Sequence, residues 1–216
     1  MLGKGKSLSF VRYQVTDDPN LSIYLTLIEE IKRRYKVAGE FYNNTLHAGY
    51  DITSIEVMAL QMRFMLELVA LASLSANKEI FEENSVKFQK HWHPAEILSD
   101  IKRMNPNFYP TPLIESTTLE TGERHLLKFE DDFLTAEDLI SIHGQCGNLL
   151  HARNPFRKPV DHHEFKGQFA NWAVKIMNLL NVHKIQLLDD ETFYLVHCNG
   201  AKDGAARAYK FQLVNA

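Results

Sequence analysis

Between Val57 and Leu74 the chain is apolar around almost its whole helical circumference, and this stretch limits what the rest can fold into. Val57, Met58, Met62, Met65, Leu68 and Leu71 alone cover most faces of a helix, so the segment has to be surrounded by protein. Thr53-Ser54-Ile55-Glu56 has the form of a capping box that starts this helix, and the pattern runs to about Asn77. Gln61, Arg63 and Glu67 interrupt it, which argues for a core helix rather than a membrane span. At about 100° per residue, Glu56, Arg63 and Glu67 fall within a stripe roughly 40° wide. Arg63 and Glu67, four residues apart, can pair. An unpaired buried charge costs several kcal/mol, so the pair either borders a cleft or meets a polar partner such as His151 or Arg153. A structural ion pair at the core margin fits the same residues.

A central helix needs other elements around it, and the spacing of apolar residues supplies them. Asp17-Asp18-Pro19 opens a helix in which Leu21, Tyr24, Leu25, Ile28, Ile31 and Tyr35 recur at helical steps, reaching about Asn43. Two more helices are predicted over 79–92 and 94–104, the second opened by Pro94 and closed before Asn105-Pro106. The run 105–112 is a rigid connection whose Phe108 and Tyr109 seek burial. Leu113–Leu119 and Arg124–Phe129, separated by Glu120–Glu123, read as a β-hairpin inserted between helices. A last helix is predicted from Asp161 to Asn181, followed by a β-meander over 183–188, 193–198 and 207–214. Leu8 to Val15 hints at a short strand or extended arm at the start.

The expected fold is thus mainly α: a helical bundle with an inserted β-hairpin and a C-terminal β-meander, α+β overall. The 216 residues read as a single domain, with a helical core over 19–180, the hairpin at 112–130 and the meander of 181–216 packed on it. The hairpin and the C-terminal strands can join in a common sheet.

Composition narrows the function classes. Twenty-four basic against 27 acidic residues give a net charge of -3, so an RNA partner would have to use a local patch. Cys146 and Cys198 are far apart and form no redox or zinc motif, which suits a reducing compartment. The first ten residues lack the apolar run of a signal peptide, and the expectation is a cytoplasmic protein with no membrane partner and no small-molecule cofactor. Gly3 to Ser7 resembles part of a phosphate-binding loop but lacks its first glycine and its preceding strand. His91 and His93 are ligand types without a third ligand at metal spacing, and no metal site is predicted.

Thr135 to Arg157 carries the densest group of chemically useful side chains. Thr135 can cap a helix whose Leu139, Ile142, Cys146 and Leu149 form an apolar stripe, with Gly144, Asn148 and His151 on a neighbouring row. Pro155 disfavours helical geometry at Asn154, so His151, Arg153 and Asn154 are expected near an exposed helix end. Imidazole moves protons near neutral pH, and guanidinium grips phosphate oxygens in a fork. A histidine can activate a ribose 2′-hydroxyl while an arginine stabilises the charge developing on phosphorus, with no metal required. His151, Arg153 and Asn154 are therefore the candidate catalytic residues, with Arg63, Glu67 and Asn148 in support. His162 and His163, in the first turn of the last helix, are expected to be neutral there because the helix dipole disfavours positive charge.

The helix MALQMRFMLELVALASLSANK, followed much later by GQCGNLLHARNPF, resembles the HEPN superfamily in its bacterial and phage-defence-associated branch. The resemblance covers roughly residues 20 to 180. It implies a helical bundle, frequently a homodimer, with metal-independent endoribonuclease activity in catalytic members. It also implies His151 as acid/base and Arg153 with Asn154 as phosphate grip. In that family the catalytic arginine precedes its histidine, whereas here His151 precedes Arg153, and a forward order occurs only from Arg157 to His162 or His163 across Pro159. Three function classes follow: an RNA-associated protein or ribonuclease of HEPN-like build, a non-catalytic interaction or scaffold protein, and a metal-dependent hydrolase drawing on the ten histidines.

Overall fold

The computed structural model describes residues 10–14, 18–77, 93–118, 124–152, 156, 160–187 and 191–213. The helix expected over 79–92, with His91, lies outside them, as do Gly3 to Ser7, the hairpin turn 119–123 and Asp189-Asp190. Five helices are described: α1 (Pro19–Tyr42), α2 (Asp51–Ala76), α3 (Pro94–Met104), α4 (Ala136–Leu150) and α5 (His162–Leu180). Six strands accompany them: β1 (Phe10–Gln14), β2 (Thr111–Thr117), β3 (Arg124–Lys128), β4 (Val182–Gln186), β5 (Thr192–His197) and β6 (Arg207–Leu213). The fold is mainly α with an antiparallel sheet, as the sequence pattern predicts.

α2 is the hub of the bundle. Ile55, Met58, Met62, Met65, Leu66 and Val69 are buried on several of its faces, and α1, α3, α4 and α5 all pack against it. By length and composition α2 could cross a membrane, yet half of its most apolar stretch is buried inside this protein. Its start lies three residues earlier than the sequence suggests. Tyr50 is the N-cap, and Thr53 serves at the third helical position, its hydroxyl accepting from the Tyr50 amide at 3.1 Å. Thr53 therefore closes the box from inside the helix instead of opening it.

The other helix starts follow their local chemistry. Asp18 accepts from the Leu21 amide at the head of α1, and Pro94 sits in the first turn of α3. Thr135 caps α4, its hydroxyl accepting from the Asp138 amide at 3.0 Å. Asp161 caps α5 through the amides of His163 and Glu164. α4 is tied to α5 at its base, where the Leu134 amide donates to the Lys175 carbonyl and Lys175 bridges Asp132 and Asp138.

The strands form one six-stranded sheet in the order β1-β6-β5-β4-β2-β3, antiparallel throughout. The hairpin joins the C-terminal meander through Thr111 opposite Lys184 and Pro112 opposite His183, so hairpin and meander share a sheet. The sheet is fastened to the bundle by side chains that alternate toward it. Ile185 on β4 and Tyr194 and Val196 on β5 are buried in the same core as the helices, and His183 on β4 is fully buried too. Tyr24 on α1 meets His183 at 2.6 Å, and the Tyr194 hydroxyl donates to Asp18 at 2.7 Å. The Asn105 side-chain amide, buried between the layers, donates to Asn77 and to the Gln186 carbonyl.

Candidate functional site

The polar row of α2 is answered across the helix interfaces, residue by residue. Arg63 Nε donates to Glu67 Oε1 at 3.0 Å, and the same oxygen lies 2.9 Å from His143 Nε2 on α4. Glu56, at the other end of the row, stands 3.8 Å from His162 Nε2 in the first turn of α5. Because Glu67 meets His143 while Arg63 reaches the position of Gly147, α2 and α4 run antiparallel here. A methyl added at Gly147 would lie 3.3 Å from Arg63 Nη1, so the guanidinium sits directly over this glycine.

Burial grades along this seam. The His143 side chain is 7% exposed, Glu67 19% and Arg63 31%. The chain of contacts thus leads from the core toward solvent. Burial holds the His143 imidazole below its ordinary value, helped by the positive charge of Arg63 and opposed by the hydrogen bond to Glu67. A neutral ring results near pH 7, and since an ionised carboxylate can only accept, the Nε2 atom carries its proton. Glu67 is thereby held from one side by His143 and holds Arg63 on the other. The His93 ring, at the N-cap of α3, packs edge-on against His143 with centroids 5.4 Å apart. Cys146 is buried beside this group, which pushes its thiol up to about 12 and removes it as a nucleophile near neutral pH.

The six residues singled out from sequence are distributed as follows. Arg63 and Glu67 pair, as expected, but their polar partner is His143, two helical turns before His151. α4 ends at Leu150, earlier than the turn at Asn154-Pro155, with His151 as its extended C-cap and exposed to solvent. Arg153 and Asn154 lie outside the described residues, together with Pro155, Arg157 and Pro159. Asn148 is exposed about 100° round the helix from Gly147 and lines a separate hollow of about 190 Å³ against Asp161 and Gln168 of the α5 end. It does not join the Arg63 seam. His151, the C-cap, stands four residues after Gly147 and eight after His143, in line with the row that faces the seam.

Sequence reasoning missed His143. The signal was present: His143 stands four residues after Leu139 and three before Cys146, on the buried stripe, where an unpaired imidazole would be costly. A polar residue on that stripe and a charged row on the central helix each require a partner, and each supplies the other's. Among the described residues, no group of three or more His, Cys, Asp or Glu side chains is arranged to hold a metal ion. Comparison of the chain with protein-family models, curated proteins and solved structures gave no match.

Proposed function

We propose that this is a HEPN-like, RNA-associated protein acting as a metal-independent endoribonuclease at the open end of the α2–α4 seam. The observation that supports this reading is the placement of Arg63, held through Glu67 by the buried His143, with Nη1 over Gly147, one turn before the exposed His151. Arg63 is fixed from the core side, and the histidine four residues beyond its Gly147 contact is exposed to solvent. In this reading His151 takes the proton of a ribose 2′-hydroxyl, whose oxygen attacks the adjacent phosphorus. The 5′-oxygen leaves and recovers a proton from the imidazolium, giving a 2′,3′-cyclic phosphate and a free 5′-hydroxyl. Arg63 stabilises the negative charge that builds on the phosphoryl oxygens, and Arg153 and Asn154, next in sequence, add to the phosphate grip. Glu67 and His143 are positioning residues. A cytoplasmic homodimer in a bacterial defence or toxin-type system is the assembly and setting proposed with it.

The second reading, a non-catalytic interaction protein, is favoured by the burial of His143: the trio would then serve only to join α2 to α4. The two readings part on His151. Purified protein is incubated with total RNA in EDTA, beside His151→Ala. The ribonuclease reading expects cleavage that survives the chelator and falls by a factor of about 10² or more in the variant. It also expects an unchanged melting temperature, since the exposed side chain contributes little packing. Intact RNA with both proteins supports the interaction reading, and cleavage that requires added divalent metal supports a hydrolase.

A further inference from the structure

At the opposite end of α4 from His151, a pocket of about 520 Å³ opens between the 105–112 connection and the sheet. Prolines and the Tyr109 and Phe133 rings line it together with the polar Asn107, Thr111 and Gln186. Among the described residues, Lys184 on β4 is the one charged residue in its lining. No carboxylate among the described residues pairs with Lys184, whose ammonium lies 5.8 Å over the Phe193 ring. We infer that this pocket binds a small aromatic anion, a planar ring carrying a single carboxylate or phosphate.

Three features carry the inference. The volume falls in the range of about 300–1,000 Å³ usual for small-ligand sites. The walls are held in place before any ligand arrives. The Tyr109 hydroxyl donates to the Leu134 carbonyl at 3.1 Å, and the Asn107 amide donates to Asn105, which is itself bonded to Asn77. Phe133 packs edge-on against Phe129. Prolines restrict the backbone further, so little ordering cost falls on binding. The lining combines rings and prolines suited to an aromatic face with Lys184, a cation suited to one anionic group.

The test is calorimetric titration of the full chain with adenosine 5′-monophosphate and with phenylacetate, two sources of the same chemistry. Adenosine and inorganic phosphate, each carrying half of it, serve as controls. Two variants accompany the wild type: Lys184→Met, and Thr111→Tyr, which places a bulky side chain at the exposed pocket rim opposite Lys184. At least one aromatic anion should bind with a Kd below about 1 mM, and both halves should bind at least about tenfold more weakly. Each variant should weaken that binding about tenfold or more, the scale of one charge-assisted hydrogen bond, with an unchanged melting temperature. Saturation by phenylacetate but not the nucleotide would define a carboxylate site, and the reverse a phosphate site. The proposal is overturned if neither anion saturates by about 10 mM, where any binding is too weak to be specific. Binding unaltered by Lys184→Met, or shared equally by the halves, overturns it as well.

Discussion

Gly144 and Gly147 sit on α4 three residues apart, and of the two only Gly147 has a neighbour that an added methyl would touch. Alanine at either position should stabilise the helix by about 0.5–1 kcal/mol, because glycine loses more conformational freedom on folding. At Gly147 the new methyl meets the far end of the Arg63 side chain at 3.3 Å, and the guanidinium can yield by a few tenths of an ångström. Gly147→Ala should therefore keep its stability gain while lowering RNA cleavage several-fold, whereas Gly144→Ala should leave cleavage unchanged. Urea unfolding and a chelated RNA assay on both variants check this. An equal effect on cleavage from both would detach Arg63 from the chemistry. His143→Ala tests the same seam from below. It leaves Glu67 with one partner fewer in a largely buried setting, and should cost about 1–3 kcal/mol of stability.

The joint between α1 and β4 gives the molecule an acid-sensitive element. His183 is fully buried, its Nδ1–H donating to the Leu180 carbonyl at 2.9 Å and its Nε2 accepting from the Tyr24 hydroxyl at 2.6 Å. This neutral tautomer satisfies both nitrogens. Burial lowers the imidazole to about 4, against about 6.5 in the unfolded chain. A lowered value means that the unfolded state binds the proton first, so stability is complete above about pH 6.5 and is lost as pH falls toward 4. The shift corresponds to about 3 kcal/mol over that window, and the lowered value of His143 acts in the same direction. Urea midpoints at pH 7 and pH 4.5 should differ accordingly, and His183→Gln should shrink the difference. A pH-independent midpoint would place a charged imidazole in the fold. At this scale the sequence was a good guide to most helix ends that depend on adjacent residues, the start of α2 excepted. Pro94 with Asn105, Thr135 and Asp161 mark the observed boundaries because a cap or a missing amide is a local matter. The end of α4 at Leu150 was not legible, because Pro155 forbids helix at Asn154 without requiring it as far as that point.

For the molecule as a whole, the bundle, the two groups of strands and their joining in a common sheet were expected from the sequence, while the strand partners and register were not. Pairing of β1 with β6, and of β2 with β4, joins residues far apart in the chain, and alternation along a strand fixes its faces but not its neighbours. The same limit hid the seam. The charged row on α2 was visible as a demand for a partner, but choosing His143 over His151 required the antiparallel packing of α2 on α4. That packing carries the functional account, because it sets a core-anchored Arg63 over Gly147, four residues before the exposed His151. The most direct measurement uses a defined single-stranded RNA oligonucleotide and its fully 2′-deoxy counterpart, each incubated with the wild-type protein in EDTA. The account predicts that the RNA is cut to fragments ending in 2′,3′-cyclic phosphate and that the deoxy strand stays whole, since the attacking 2′-hydroxyl is then missing. An intact RNA strand, or cutting of the deoxy strand, would contradict it.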